Sequence, residues 1–195
     1  MGDGKEHLAG NVEIRDWRYW LQWLALYSGA RLGEMAPLLT KDIFRSHGGV
    51  WVMHITELGS DTQLTRNAGS MRVVPIHSKL IEKGFLDYHA FVVGAGSSRL
   101  FPELERDTRG YFGAASKFLN AYLRKIGVKV DKNTKFHSFR HTIADALRHV
   151  KYMDDDFDTI LKQSKTTTRQ KYGNISEDNL ALRVKMIEAV TYVGV

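Results

Sequence analysis

The chain has 195 residues, no cysteine and a formal net charge of +6. The absence of cysteine excludes disulfides, thiolate catalysis and cysteine-based zinc sites. No secretion signal opens the sequence and no apolar stretch approaches about 18 residues, so we expect a cytoplasmic protein without membrane contacts. The positive surplus permits nucleic-acid binding without requiring it.

The first part of the chain is predicted to combine two helices with a small antiparallel sheet. Residues 1–16 are expected to be a flexible lead-in. Apolar residues at helical spacing predict a buried helix over 17–27, which Ser28-Gly29 ends, and a second helix over 32–39. Alternating β-prone residues predict strands near 50–56, 63–67 and 71–76.

From residue 78 onward the pattern is almost entirely helical. We predict helices over 79–93, 110–127, 137–150, 157–163 and 177–190, with Gly127 as a C-terminal cap. Asp154-Asp155-Asp156 is interpreted as a solvated helix start. The last helix suits docking either onto a neighbouring protomer or back onto its own domain. The fold class is mainly α with a small antiparallel sheet, as one domain over 17–195.

Arginine, histidine and tyrosine side chains are the candidates for chemistry. Arg31 lies two positions after Gly29 and precedes Glu34 by three positions, so Glu34 can hold the guanidinium, although a surface ion pair is the simpler explanation. His137 and Arg140 are three apart and share one helix face. Two arginines can clamp a phosphate, a histidine can move a proton, and the hydroxyl of Tyr172 can attack.

Tyr172 lies among three threonines, Arg169 and Lys171. Nearby cations favour the phenolate, although a partly buried structural tyrosine is the ordinary alternative. His137 and His141 are four apart, as zinc-binding histidines can be, but no glutamate follows His137 and the metalloprotease pattern fails. We therefore expect no metal and no cofactor.

The order and spacing of these motifs resemble the catalytic domain of the tyrosine recombinases, in particular phage-type integrases. The matching runs are Ser28-Gly29-Ala30-Arg31-Leu32-Gly33-Glu34, Arg72-Val73-Val74-Pro75-Ile76-His77, His137-Ser138-Phe139-Arg140-His141-Thr142, Tyr172-Gly173 and the non-catalytic Leu100-Phe101-Pro102-Glu103-Leu104. The resemblance covers nearly everything from Trp17 to the C-terminus.

The resemblance implies the DNA breaking–rejoining fold and site-specific recombination in phage or mobile-element integration. Arg31 and Arg140 would clamp the scissile phosphate, with Glu34 supporting Arg31, His137 as the first histidine, and Tyr172 forming a 3′-phosphotyrosine link. The implied partners are double-stranded DNA, other integrase protomers in a tetrameric synapse, and accessory DNA-bending proteins. A bacterial or phage origin follows, with Arg72 among the expected DNA contacts.

Two positions depart from the family pattern. Arg66 stands where the family usually has a lysine that protonates the leaving 5′-oxygen, and arginine is a poor acid at neutral pH. Gln163 stands where histidine or tryptophan is usual, and glutamine cannot carry a positive charge. We expect both to contact DNA or the reacting phosphate and to reduce activity.

Three alternatives remain open from the sequence. They are a catalytically impaired DNA-binding relic of an integrase, a type IB topoisomerase-like enzyme, and an unrelated basic helical domain. Because only about 16 residues precede the first predicted helix, the N-terminal clamp domain of these integrases is expected to be absent. The isolated domain should then bind DNA weakly and with little selectivity.

Overall fold

The computed structural model describes residues 6–9, 12–55, 72–128, 136–161 and 177–192. Within these ranges the chain is mainly helical, with a small antiparallel sheet, which confirms the predicted class. The helices are α1 (Trp17–Ser28), α2 (Leu32–Met35), α3 (Ser78–Glu82), α4 (Phe85–Gly94), α5 (Gly113–Lys125), α6 (Ser138–His149), α7 (Asp154–Leu161) and α8 (Glu177–Glu188). The strands are β1 (Glu6–Ala9), β2 (Val12–Arg15), β3 (Ile43–Arg45), β4 (Trp51–Ile55) and β5 (Arg72–Pro75), with a short 3₁₀ helix at Thr40–Asp42.

Helix α1 is the central element of the core. Every residue of α1 except Arg18 is buried, and α2, α3, α5 and α6 all lie against it. Asp16 caps its N-terminus by accepting a hydrogen bond from the Arg18 amide at 2.8 Å. Gly29 ends it in the left-handed conformation, with φ of 62°, and donates its N–H to the Ala25 carbonyl. The prediction of a buried helix over 17–27 is confirmed.

Two predicted helices are longer than the observed ones. The helix predicted over 32–39 ends at Met35, because Pro37 has no N–H to donate and restricts the residue before it. The helix predicted over 79–93 is divided into α3 and α4 by Gly84, whose φ of 88° is incompatible with a continuous helix. Helices α5 to α8 lie where the sequence predicted them, and Gly127 takes a positive φ after α5.

The three-stranded sheet has the order β3-β4-β5 and is antiparallel throughout. In its register Met53 lies opposite Ile43 on one side and Val74 on the other. The predicted strands near 50–56 and 71–76 are confirmed as β4 and β5. The third strand is β3, which was not predicted, whereas the strand predicted near 63–67 lies outside the described residues.

Residues 6–9 and 12–15, within the expected lead-in, form two strands. Strands β1 and β2 pair as an antiparallel hairpin, with Glu6 opposite Arg15 and Ala9 opposite Val12. The two strands are separated by Gly10-Asn11, a dipeptide that often joins hairpin strands.

The C-terminal helix α8 packs onto its own domain. Met186, Ile187 and Val190 are fully buried. The Arg183 Nη1 donates to the Val73 carbonyl of β5 at 2.8 Å, and the Tyr192 hydroxyl donates to the Leu26 carbonyl of α1 at 2.8 Å. Of the two expected docking modes, the structure shows the one within the chain. No helix of the described ranges is long and apolar enough to cross a membrane.

His77 connects the start of α3 to the residues that follow α8. Its Nδ1 accepts the Lys79 amide at 2.9 Å, and its Nε2 lies 3.0 Å from the Val190 carbonyl, which makes Nε2 the protonated nitrogen. Glu188 accepts both the amide and the hydroxyl of Ser78. Burial lowers the pKa of His77 below its ordinary value, against the opposing charge of Glu188, so the neutral imidazole is the folded form.

Candidate functional site

A pocket of about 210 Å³ opens between the turn after α1, one face of α5 and the start of α6. Its lining residues are Ala30, Arg31, Leu32, Ser116, Asn120, Phe136, His137 and Arg140. The structure therefore brings together Arg31, His137 and Arg140, as the sequence predicted. Of the other predicted site residues, Arg66, Gln163 and Tyr172 lie outside the described residues, whereas Glu34 and Arg72 lie beside the pocket.

Arg140 is the buried cation of the pocket. It lies in the first turn of α6 with 3% of its surface exposed. Its Nη1 donates to the Gly29 carbonyl at 3.0 Å, whereas its buried Nη2 has no hydrogen-bond partner among the described residues. Burial and the neighbouring charge of Arg31 lower the pKa of Arg140 to about 10, so it remains charged near neutral pH. An unsatisfied donor on a buried cation is costly, and an anion would satisfy it.

Gly29 permits the close approach that places Arg140. A Cβ atom at position 29 would lie 2.4 Å from Leu161 Cδ2 and 2.6 Å from Ile143 Cγ2. Only a glycine therefore lets the end of α1 meet both α6 and α7 at this point. The same residue presents its carbonyl to Arg140.

Arg31 is the exposed cation of the pocket, and Glu34 holds it. The Arg31 amide donates to Glu34 Oε2 at 2.7 Å, and its Nη1 donates to Oε1 at 3.1 Å. The Arg31 side chain is 45% exposed, whereas that of Glu34 is only 6% exposed. The Arg31 guanidinium can therefore reach a ligand from solvent, while Glu34 holds the Arg31 backbone in place. This contact is the one predicted from the spacing of the two residues.

Burial alone would raise the pKa of Glu34, but hydrogen bonds and the charge of Arg72 outweigh it and the net pKa is lowered. Glu34 is therefore a carboxylate at neutral pH. It accepts Arg72 Nη1 on Oε1 at 3.1 Å and Nη2 on Oε2 at 2.7 Å. The Glu34 carboxylate thus accepts hydrogen bonds from two arginines, Arg31 and Arg72. Of these two, only Arg31 lines the pocket.

Arg72, an expected DNA contact, is buried in this arrangement. The Arg72 side chain is 3% exposed. Its Nη atoms bond Glu34, and its Nε donates to the Ile160 carbonyl at 2.6 Å. The expectation of a DNA contact at Arg72 came from the family resemblance. The buried carboxylate of Glu34 stabilises the charge of Arg72 in the interior instead.

His137 immediately precedes α6 at the rim of the pocket. Desolvation lowers its pKa below the ordinary value, and the charge of Arg31 lowers it further. The ring of His141, one helical turn on, is perpendicular to it with centroids 5.5 Å apart. The imidazole of His137 is therefore mainly neutral near pH 7 and can accept a proton when an anion arrives.

The wall formed by α5 was missed at the sequence level. Asn120 donates its amide to the Ser116 carbonyl at 2.8 Å and accepts the Phe136 amide at 3.2 Å. It thereby fixes the backbone next to His137. The four-residue spacing of Ser116 and Asn120 places both on one face of a helix, but nothing in the sequence indicates which other elements that face meets.

Comparison of the chain with protein-family models, curated proteins and solved structures found no match.

Proposed function

We propose that the pocket binds a phosphodiester of double-stranded DNA and that the chain is the catalytic domain of a tyrosine-type site-specific recombinase. The observation that carries the proposal is the buried Nη2 of Arg140, which lacks a partner among the described residues and belongs to a residue that lines the same pocket as Arg31 and His137. A phosphate oxygen supplies the missing acceptor. The net positive charge of the chain favours the same ligand.

The two arginines have complementary tasks in this proposal. Arg140 is fixed by the Gly29 carbonyl and offers a preorganised donor at the bottom of the pocket. Arg31 is exposed and closes on the phosphate from the solvent side, while Glu34 holds its backbone. Both guanidinium groups neutralise the charge that develops on the non-bridging oxygens as the phosphorus is attacked.

Tyr172, which lies outside the described residues, is the proposed nucleophile. Its hydroxyl oxygen bonds to phosphorus and loses its proton, while the bond from phosphorus to the 5′-oxygen breaks and that oxygen gains a proton. The product is a 3′-phosphotyrosine link and a free 5′-hydroxyl, which reverses the step on a partner strand. The bond energy is conserved, so neither a nucleotide nor a metal is consumed.

His137, Arg66 and Gln163 have the remaining roles in the proposed reaction. The neutral imidazole of His137 takes up or donates a proton at the reacting phosphate. Arg66 stabilises the charge on the leaving oxygen without acting as its acid, since arginine holds its proton too firmly. Gln163 donates a neutral hydrogen bond. Both substitutions are expected to slow the reaction relative to the usual residues.

Covalent attachment to DNA tests the proposal directly. The probe is a pool of nicked duplex oligonucleotides with random sequence around the nick. After cleavage beside the nick, the short leaving strand diffuses away, so its 5′-hydroxyl cannot reverse the reaction and the covalent link accumulates. We expect a protein–DNA adduct that survives denaturation. Tyr172→Phe should abolish it, whereas Tyr111→Phe, which alters a tyrosine 51% exposed on the surface, should leave it unchanged.

A matched pair on α6 tests the pocket itself. Arg140→Lys keeps the positive charge but replaces the planar guanidinium, with its several fixed N–H donors, by a single nitrogen. We expect this variant to reduce adduct formation about 100-fold or more. Arg148→Lys makes the same exchange at an exposed position on the same helix and should have little effect.

Arg66 and Gln163 differ from the residues usual at these positions in the family, and this difference favours one second candidate, a catalytically impaired DNA-binding relic of an integrase. Its signature is salt-dependent binding of duplex DNA that Arg140→Lys weakens, with no adduct in any background, including Arg66→Lys with Gln163→His. Adduct formation that persists in Tyr172→Phe would overturn the recombinase proposal.

A further inference from the structure

Ser116 lines the pocket from helix α5, one helical turn before Asn120. Its backbone is fixed at both of its polar groups. The Ser116 N–H donates to the Phe112 carbonyl at 3.1 Å, and the Ser116 carbonyl accepts the side-chain amide of Asn120 at 2.8 Å. A residue held in this way keeps its side chain at a defined place in the pocket wall before any ligand arrives.

The Ser116 hydroxyl is not used within the described part of the protein. The residue is half-buried, and its hydroxyl has no hydrogen-bond partner among the described residues. A serine or threonine in a helix often donates its hydroxyl to the carbonyl four residues earlier. Ser28 of α1 and Thr142 of α6 both do so, at 2.5 Å and 3.1 Å. Because Ser116 does not make the equivalent bond, its hydroxyl can donate to a ligand without breaking a contact of the free protein.

The residues that line the pocket thus carry two donors that the described protein leaves unpaired, the neutral hydroxyl of Ser116 and the cationic Nη2 of Arg140. Asn120 differs from both, because its nitrogen bonds the Ser116 carbonyl and its oxygen accepts the Phe136 amide. Phosphate oxygens accept hydrogen bonds from serine hydroxyls as well as from arginine. One tetrahedral oxyanion, with several acceptor oxygens, can therefore satisfy both donors.

We propose that Ser116 is a further ligand-binding residue of the pocket, whose hydroxyl donates to one oxygen of a tetrahedral oxyanion while Arg140 donates to another. When the anion is the scissile phosphodiester of DNA, the acceptor is a non-bridging oxygen. That assignment to DNA rests on the proposed recombinase function, whereas the contact with a free oxyanion does not. Inorganic sulfate and DNA are therefore tested separately.

Ser116→Ala removes the hydroxyl alone, because both bonds of Ser116 in the free protein are made by its backbone. Alanine is also the better helix former. The midpoint of urea unfolding should therefore not fall. A lower midpoint would show that the hydroxyl stabilises the free protein and would overturn the inference. Ser116→Thr keeps a hydroxyl at the same position, and Thr142→Val removes one that is already bonded to the Ser138 carbonyl and does not line the pocket.

Calorimetric titration with sodium sulfate, at an ionic strength held constant with sodium chloride, tests the contact in the free protein. Loss of one hydrogen bond to the anion should raise the Kd for sulfate about 3- to 10-fold in Ser116→Ala. The Kd should stay within about two-fold in Ser116→Thr and Thr142→Val. An unchanged Kd in Ser116→Ala, or an equal rise in either of the other variants, would overturn the inference. Absence of sulfate binding by the unmodified chain would overturn it as well, together with the assignment of the pocket as an anion site.

The nicked-duplex pool tests the contact with DNA. In Ser116→Ala the maximal rate of adduct formation should fall about 3- to 10-fold, because the hydroxyl donates to an oxygen whose charge grows as the phosphorus is attacked. The DNA affinity should stay within about two-fold, since it is summed over many phosphates. An unchanged rate would overturn the contact with the scissile phosphate. If the unmodified chain forms no adduct while the sulfate results hold, the recombinase function fails and the oxyanion contact of Ser116 stands.

Discussion

Gly29→Ala is the sharpest test of how the pocket is built. A non-glycine residue in the left-handed conformation, here with φ of 62°, costs about 1–2 kcal/mol. The added methyl group would also lie 2.4 Å from Leu161 and 2.6 Å from Ile143, and overpacking of this kind costs about 1–3 kcal/mol. We therefore expect the free energy of unfolding to fall by about 2–5 kcal/mol, a large part of the stability of a typical domain.

The assay is urea unfolding followed by tryptophan fluorescence, since α1 itself carries Trp17, Trp20 and Trp23. Gly33→Ala is the control, because Gly33 lies in helix α2 and a Cβ there would have no heavy atom within 4 Å. It should be neutral or stabilise by up to about 1 kcal/mol. A loss below about 1 kcal/mol in Gly29→Ala, or equal effects in the two variants, would refute the close-approach argument.

Three further predictions concern the ionisable groups. Glu34→Gln removes the carboxylate that bonds the buried guanidinium of Arg72, so urea unfolding should show a loss of about 3–5 kcal/mol, and a loss under about 1 kcal/mol would contradict this. The pKa of His77 is lowered on folding, so its contribution to stability is present above its ordinary value of about 6.5 and is lost as pH falls through the folded value. Unfolding free energies at pH 7.5 and 5 should therefore differ less in His77→Gln than in the unmodified chain. DNA phosphate should raise the lowered pKa of His137, so calorimetry in buffers of different ionisation enthalpy should detect proton uptake near pH 6.5 that His137→Gln removes and His141→Gln retains.

The parts predicted from sequence are those that short-range patterns determine. The helical period of 17–27 and the i,i+3 spacing of Arg31 and Glu34 both act within one element, and both are present in the structure. The convergence of Arg31 with His137 and Arg140 was predicted through the family resemblance, because spacing alone cannot bring distant segments together.

Three features that the sequence did not reveal depend on contacts between different segments of the chain. Burial of Arg72 requires the carboxylate of Glu34, 38 positions away, and no local property of strand β5 indicates it. The α5 wall likewise depends on Asn120 meeting Phe136. Strand β3 is only three residues long, too short for an alternating pattern, and pairs because β4 lies beside it.

The sharing of Glu34 has a practical consequence for handling the protein. Three guanidinium groups, those of Arg31, Arg72 and Arg140, lie around this one carboxylate, so the empty pocket carries excess positive charge. Multivalent buffer anions such as sulfate will compete for it more strongly than chloride at equal ionic strength. They will therefore raise the melting temperature, and under the proposed function they will also lower the apparent DNA affinity. Apparent binding constants measured in phosphate and in chloride buffers will therefore differ, because phosphate occupies the pocket more strongly than chloride does.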